Sequence, residues 1–290
     1  MALLGKSLRH ETNKAHQEAK RTRDGPSAFE VYFAASPCPS DQPVIIFHHI
    51  QKTAGTSLRQ IIHRNYVAAG ARHLVVGAAR GYDPVVMREW TARFLDSLTA
   101  NERESIICVA AHGANHLMRQ LDRPTRAITL LRDPVDRIMS RYHFGDSPNF
   151  ALADFYKGLR DSGRKTKSSR LRQYCNPQSR SLLEPLFGIE LPELGWSRGA
   201  PADAQLWRER LFSLLADRYI VGVQDRFEES VIYFGRECGW NDLFVPYAKF
   251  NKTRPREVDE DLRGEILEYN WLDQELYEHF ACRPIGARSS

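Results

Sequence analysis

One segment constrains the fold of this chain more than any other: an apolar strand that runs through a turn of small residues into a helix. The strand is the run VIIFHHI at residues 44–50, which is rich in β-branched residues and lacks the alternation of a half-exposed strand. It therefore predicts a strand covered on both faces, as in a parallel sheet. The turn QKTAGTS at residues 51–57 leads into a helical pattern. Backbone N–H groups and the positive end of the helix dipole meet in such a turn, which indicates an anion-binding site.

The residues of this turn suit an anion. Gly55 allows a close backbone approach, Thr53, Thr56 and Ser57 carry hydroxyl donors, and Lys52 adds a mobile positive charge. The turn is not a Walker A loop, because that motif places a glycine well before a lysine that stands next to the helix, and here the lysine comes first. An ordinary turn with a solvated lysine is the alternative that this segment leaves open by itself.

Three further apolar runs, at residues 105–111, 127–131 and 219–223, also have the pattern of buried strands. Helical patterns separate them, among them residues 58–66 and 84–98. Strands that alternate with helices indicate an α/β fold. We therefore expect a three-layer arrangement, in which helices flank a central parallel β-sheet.

The chain reads as one domain with a tail. Residues 1–35 are rich in polar and charged residues, which predicts a tail, and residues 36–290 are predicted to form a single domain. Within that domain, prolines and glycines blur the pattern over residues 150–217, so we expect irregular structure and short helices overlying the sheet. Helical patterns return at residues 227–240 and 259–281.

A second strand-to-helix junction has the sequence RDPVDRIMS. Asp133 is a candidate N-cap, Pro134 fits the first helical position, and Asp136 completes an arrangement like a capping box. This helix start allows Arg132 at the strand end and Ser140, eight residues later, to converge on a second anion. The alternative is that Arg132 pairs with Asp136 and that Ser140 meets no ligand.

Composition excludes several classes of protein. The chain has 41 Lys and Arg against 36 Asp and Glu, a net charge of +5 that favours anionic ligands without indicating a nucleic-acid coat. Five widely spaced cysteines, without a C-x-x-C pair, predict no metal site and a reducing, cytoplasmic location. Because no apolar run reaches the ~18 residues of a membrane span and the first residues lack the core of a signal peptide, we expect a soluble protein.

Together the two junctions resemble those of sulfotransferases that use 3′-phosphoadenosine 5′-phosphosulfate (PAPS), in the group of carbohydrate O-sulfotransferases and their bacterial family 2 relatives. HIQKTAGTSL at residues 49–58 looks like their 5′-phosphosulfate loop, H-I-P-K-T-[AG]-G-T-[ST], with Gln51 in place of the usual proline. RDPVDRIMS looks like their 3′-phosphate motif, including the Arg-to-Ser interval. Weaker similarities, among them a closing N-x-x-D-x-x-L-Y, extend the resemblance over residues 44–281.

The resemblance implies a P-loop-like fold and a PAPS site built from three segments. The first junction would bind the 5′-phosphosulfate and the second the 3′-phosphate. A later basic segment, FNKTRPR at residues 250–256, would cover the co-substrate. The PAPS-binding residues predicted in this way are Lys52, Thr53, Ala54, Gly55, Thr56, Ser57, Arg132, Ser140, Thr253 and Arg254.

The reaction implied is transfer of a sulfuryl group from PAPS to a hydroxyl of a carbohydrate or small metabolite. Negative charge grows on the bridging oxygen as its bond to sulfur breaks, and Lys52 is suited to stabilise it without the divalent metal that a kinase needs. We expect His112 to be the catalytic base, because it follows a strand at the carboxyl edge of the sheet, where relatives carry a catalytic histidine. His49 is the second candidate.

Other features leave alternatives open. The basic stretch at residues 160–172 is a candidate surface for an anionic glycan acceptor, and a solvated loop is the alternative. A P-loop-like small-molecule kinase would require a Walker A loop and an aspartate for magnesium. A non-catalytic nucleotide- or polyanion-binding protein would lack the base. No nucleic-acid partner is expected, because no motif for one accompanies the charge. The oligomeric state is left open.

Overall fold

A mixed, mostly parallel sheet forms the centre of the computed structural model, which describes residues 28–77, 84–146, 151–162, 168–187, 198–244 and 258–286. Within these residues the sheet has the strand order β3-β1-β4-β2-β5-β6. Strands β4, β2, β5 and β6 pair in parallel, whereas β1 is antiparallel to both of its neighbours. The strands are β1 (Ala28–Phe33), β2 (Val44–His48), β3 (Arg72–Gly77), β4 (Ile106–Ala111), β5 (Thr125–Leu131) and β6 (Tyr219–Val223).

Helices cover both faces of this sheet. Val44 and Ile46 on β2 belong to an apolar cluster with helices of one layer, and Ile45 and Phe47 belong to a cluster with helices of the other. The predicted three-layer α/β fold is therefore confirmed, with the addition of an antiparallel β1. The described helices are α1 (Gly55–Ala68), α2 (Pro84–Asp96), α3 (Ala100–Ser105), α4 (Pro134–Arg141), α5 (Leu152–Ser162), α6 (Ser168–Tyr174), α7 (Pro177–Phe187), α8 (Ala204–Arg218), α9 (Phe227–Cys238), α10 (Glu260–Tyr269) and α11 (Trp271–Ala281).

Strand β1 lies inside residues 1–35, which the sequence predicts as a tail, so the sheet begins earlier than predicted. Phe29, Val31 and Phe33 are buried in the core, and Tyr32 is buried on the opposite face. This strand was missed because the charged residues before it dominate the composition of the segment.

The region at residues 150–217 is more regular than predicted, since α5, α6, α7 and most of α8 lie in it. Helices α5 and α6 pack with α4 and α10 around a separate apolar cluster, which includes Tyr156, Tyr174 and Tyr269. The predicted helix at 259–281 is divided at Asn270 into α10 and α11. No helix in the described part of the chain is long and apolar enough to cross a membrane.

The strand order brings the predicted site segments together. Strands β4, β2 and β5 are neighbours and run in parallel, so the residues that follow their carboxyl ends meet at one edge of the sheet. Those residues are His112 after β4, the turn 49–54 after β2, and Arg132 after β5. Open α/β sheets bind their ligands at this edge.

Candidate active site

The junction between β2 and α1 has the backbone of an anion cradle. Lys52 and Ala54 both adopt left-handed conformations, with φ of 71° and 65°. Helix α1 then begins at Gly55. Its N-cap residue Ala54 makes no side-chain capping bond, and its first turn carries no acidic residue. The positive end of α1 is thus not neutralised by an acidic side chain of its own first turn. The Thr53 hydroxyl closes the turn by donating to the Ile50 carbonyl at 2.9 Å.

A histidine ring packs against the start of α1. An added Cβ at Gly55 would come within 1.9 Å of His49 Cδ2, so a glycine is required there. The buried His49 ring stacks on His112, with ring centroids 4.0 Å apart and an interplanar angle of 27°. Thr56 is exposed and Ser57 is partly exposed. The two candidate bases therefore lie together beside the turn.

His112 is held with one ring nitrogen available. Its Nδ1 lies 2.5 Å from the carbonyl oxygen of His49. Because a carbonyl can only accept, Nδ1 carries the hydrogen and Nε2 keeps its lone pair. Nε2 has no hydrogen-bond partner among the described residues. Burial lowers the pKa of His112 to about 4, although the bond to the carbonyl opposes this shift. The ring is therefore neutral at pH 7 and able to accept a proton.

His48, the preceding residue, is already engaged by the protein. Its Nε2 lies 2.9 Å from Ser181 Oγ and its Nδ1 lies 3.4 Å from the Tyr219 hydroxyl. Burial lowers its pKa to about 3. These contacts tie β2 to β6 and α7, which is a structural role.

The second junction, between β5 and α4, is capped by its own side chains. The Asp133 carboxylate accepts a hydrogen bond of 2.9 Å from the backbone N–H of Asp136, and Pro134 occupies the first turn. The helix start predicted from RDPVDRIMS is confirmed. An anion at this junction must therefore be bound by side chains.

Arg132 offers such a side chain. Its Nη1 donates to the Lys52 carbonyl at 3.2 Å, which joins the two junctions. Its contact with Asp136, the alternative partner, is long at 3.9 Å, and that carboxylate is 62% exposed. The Nε of Arg132 is buried without a partner in the part of the chain that the structure describes. Ser140 is buried two turns along α4 and makes no hydrogen bond to Arg132.

Four cationic side chains gather between the junctions. Burial and the charges of Arg141, Arg132 and Arg137 lower the pKa of Lys52 to about 8. The Lys52 ammonium lies over the ring of Phe144, 3.8 Å from its centroid. A cluster of like charges at a partly buried position is costly without an anion, so this arrangement indicates an anionic ligand.

Sequence reasoning did not identify Arg137 as a site residue. Its buried guanidinium donates from Nε to the Gln51 carbonyl at 3.2 Å and from Nη1 to the Gln173 carbonyl at 2.6 Å. Burial lowers its pKa to about 10. A signal was present, because Arg137 lies one turn before Ser140 and Arg141 and so shares a face of α4 with them.

The position of Arg132 depends on α7 and α11. The amide of Gln178 donates to the Arg132 carbonyl at 2.8 Å and accepts from the Arg132 N–H at 3.0 Å. The buried carboxylate of Asp273 in turn accepts from the N–H groups of Gln178 and Ser179, at 2.9 and 2.7 Å, and from the Ser179 hydroxyl at 2.6 Å. The strand end that carries Arg132 is thus fixed by a side chain from the last described helix.

Helices α7 and α11 cap each other's N-termini. Asn176 Oδ1 accepts from the N–H groups of Leu272 and Asp273, at 3.0 and 3.1 Å. Asn270 Oδ1 accepts from the Asn176 N–H at 2.8 Å. Asn270 and Asp273 are the first two members of the closing N-x-x-D-x-x-L-Y pattern, so the structure gives that pattern a structural role.

Two predicted elements fall partly or wholly outside the described residues. Thr253 and Arg254, predicted to contact PAPS, lie there with the rest of the segment 250–256. So do residues 163–167 of the basic stretch. Within the described part of that stretch, Arg160 pairs with Glu265 of α10. The described residues contain no group of three or more His, Cys, Asp or Glu side chains placed to hold a metal ion.

Comparison with known protein families identifies the family of this chain. The family model described as Galactose-3-O-sulfotransferase matches residues 7–284. No curated protein matches the chain.

Proposed function

Because this chain belongs to the galactose-3-O-sulfotransferase family, we propose that it transfers the sulfuryl group of PAPS to the 3-hydroxyl of a galactose, with Lys52 and His112 as catalytic residues. The family is one of carbohydrate sulfotransferases, so the protein is an enzyme, and the family implies PAPS as donor and a galactose-containing acceptor. The assignment of individual residues is the proposal that follows.

The observation that carries the proposal is the junction between β2 and α1. An uncapped helix N-terminus, with no carboxylate in its first turn, lies beside an ammonium group surrounded by three guanidinium groups. This is a site for a strongly anionic group, and the 5′-phosphosulfate of PAPS has that charge. Residues 52–57 would bind it through their N–H groups and the hydroxyls of Thr56 and Ser57.

The 3′-phosphate of PAPS fits the second junction. Arg132 has a buried Nε without a partner among the described residues, and its guanidinium already spans the gap to Lys52. A phosphate oxygen would complete the hydrogen bonds of that group, which otherwise stays desolvated at a cost. Ser140 adds a hydroxyl from helix α4, which follows this junction.

In the reaction, the acceptor oxygen forms a bond to sulfur while the bond between sulfur and the 5′-phosphate oxygen breaks. The acceptor proton passes to His112 Nε2, and adenosine 3′,5′-bisphosphate leaves. The Lys52 ammonium stabilises the negative charge that develops on the leaving oxygen. Both oxygens must lie in line through the sulfur, which the neighbouring positions of Lys52 and His112 at one edge of the sheet permit.

The pKa values of both groups set the charge states that these roles require at pH 7. His112 is neutral at pH 7, and the bond from its Nδ1 to the His49 carbonyl favours the protonated ring that forms when it accepts a proton. The pKa of Lys52, at about 8, keeps the ammonium protonated near neutrality, and the negative charge of PAPS raises that pKa further.

Ligand binding and transfer together test the proposed function. We expect adenosine 3′,5′-bisphosphate to raise the melting temperature more than ATP with magnesium does. We also expect sulfuryl transfer from labelled PAPS to a β-galactoside, with the sulfate located on the 3-hydroxyl by NMR. Preferential stabilisation by ATP, or absence of transfer to galactosides, would contradict the proposal.

Replacing His112 tests the base separately. We expect His112→Asn to lower kcat by ~10²–10⁴-fold, because a positioned base contributes that much, while the Kd for adenosine 3′,5′-bisphosphate stays within about twofold. His116→Asn is the matched control, since burial also lowers the pKa of that histidine to about 4 and it lies four residues further along. Undiminished kcat in His112→Asn would remove this residue from the mechanism.

A further inference from the structure

Phe144 is an exposed aromatic ring beside the proposed reaction centre. It is 53% exposed and lies in one π-helical turn, Tyr142–Asp146, directly after α4. A ligand that covers an exposed aromatic ring removes apolar area from water, which favours binding. Single π-helical turns inside or beside helices occur often at functional sites.

The position of Phe144 relative to Lys52 defines where a ligand on the ring would lie. The Lys52 ammonium occupies one face of the ring, 3.8 Å from the centroid. The side chain is 53% exposed, so part of its surface is open to a ligand. A group in van der Waals contact with that surface, at ~3.5–4.0 Å, would lie beside the proposed position of the leaving oxygen.

The geometry of transfer fixes how far the acceptor hydroxyl lies from Lys52. A hydrogen bond of ~3 Å joins Lys52 to the leaving oxygen, and the acceptor oxygen attacks from the far side of the sulfur at ~3 Å. The acceptor hydroxyl therefore lies on the order of 6–8 Å from the ammonium, a distance that a sugar in contact with the exposed part of Phe144 can span.

We propose that Phe144 binds the acceptor galactose by stacking against the apolar face of the sugar ring. The axial 4-hydroxyl of galactose projects from one face, and the C–H bonds of carbons 3, 4 and 5 cluster on the other. These C–H bonds carry partial positive charge and suit the negative face of an aromatic ring. The equatorial 3-hydroxyl then lies at the edge of the stacked sugar, where it can reach the sulfur.

This inference rests on the proposed function and adds a residue that recognises the acceptor. Phe244 provides a matched control. It is also an exposed phenylalanine, 69% accessible, and it likewise faces a cationic side chain, since Arg64 Cζ lies 5.9 Å from its centroid. Arg64 is nine residues beyond Gly55 on α1, about 13 Å along the helix from the anion cradle.

Binding of methyl β-galactoside to the protein saturated with adenosine 3′,5′-bisphosphate tests the inference without turnover. We expect Phe144→Leu, which keeps the apolar bulk and removes the π face, to weaken galactoside binding about 10-fold and to raise the acceptor KM similarly. Phe144→Trp should retain binding, and the Kd for the adenosine bisphosphate should not change in any variant. Saturation-transfer NMR should show the strongest contacts at the hydrogens on carbons 3, 4 and 5.

The outcomes separate this inference from the proposed function. If the wild-type protein sulfates galactosides while Phe144→Leu binds them as tightly as wild type does, the inference is wrong and the function stands. An equal loss in Phe244→Leu would also overturn it, because a general surface effect would then explain both. A wild-type protein that sulfates no galactoside overturns the proposed function and this inference together.

Discussion

The two strand-to-helix junctions have the same topology but offer an anion different groups. Between β2 and α1 the helix N-terminus is uncapped, and the backbone turns through two left-handed residues. Between β5 and α4 the helix N-terminus is capped by Asp133, so the positive charge at this junction comes from the guanidinium group of Arg132. A backbone cradle suits a group whose charge changes during the reaction, whereas an arginine fork suits a phosphate that only has to be held.

The largest effect on activity is expected at Lys52, in the first junction. We expect Lys52→Met, which keeps the length of the side chain, to lower kcat by ~10²–10³-fold, because it removes the charge that stabilises the leaving oxygen. Transfer from labelled PAPS at saturating donor measures this effect. If Lys52→Met changed only the donor KM, the first junction would hold the donor without taking part in the chemistry, and the contrast between the junctions would disappear.

A donor-affinity effect is expected at the second junction. Arg132→Met should weaken adenosine 3′,5′-bisphosphate binding ~10–100-fold, the usual range for losing a charged hydrogen bond. Because Arg132 also holds the Lys52 carbonyl, kcat should fall by a smaller factor. Titration calorimetry with adenosine 3′,5′-bisphosphate and with adenosine 5′-phosphate separates the contributions. An equal loss for both ligands would show that Arg132 does not recognise the 3′-phosphate.

Gly55 tests the backbone of the first junction. Gly55→Ala places a Cβ against the His49 ring and should lower the free energy of unfolding by ~1–3 kcal/mol through overpacking. Gly264→Ala in α10 is the matched control, since nothing lies within 4 Å of its added Cβ. That variant should be as stable as wild type or up to ~1 kcal/mol more stable. Urea unfolding of both proteins would reveal whether the close contact with His49 exists.

The smallest effect is expected at the cap of α4. Asp133→Ala removes the bond to the Asp136 N–H and should cost ~1 kcal/mol of stability. It also uncovers the N-terminus of α4, so the affinity for adenosine 3′,5′-bisphosphate should stay the same or rise slightly. A marked loss of affinity would mean that Asp133 positions the donor directly.

Local signals allowed much of this arrangement to be predicted. The four apolar runs form strands, as predicted, because their β-branched and apolar residues favour a buried strand without reference to distant residues. Asp133 caps α4, as predicted, because its hydrogen-bond partner is only three residues away. Long-range pairs could not be predicted in this way. The interactions of Asp273 with Gln178 and of Arg137 with the Gln51 carbonyl depend on how distant helices pack, and no local pattern specifies that.

Strand β1 illustrates the same limit. It has enough apolar residues to be a strand, yet its place between β3 and β4 is decided by pairing with segments far along the chain. The basic stretch at residues 160–172 shows the same limit, because no local pattern specifies the ion pair between Arg160 and Glu265 of α10, 105 residues away. The role of this stretch as a surface for an anionic acceptor stays a prediction.

The mutual capping of α7 and α11 has a consequence for how the protein is made. Both proposed donor-binding motifs leave the ribosome well before Asp273, whose carboxylate fixes the segment that holds the Arg132 backbone. A growing chain can therefore form the sheet and the anion cradle while the arginine still lacks its support. The affinity for the proposed donor should therefore arise late in folding, when α11 docks. A chain that lacks α11 should bind the nucleotide weakly.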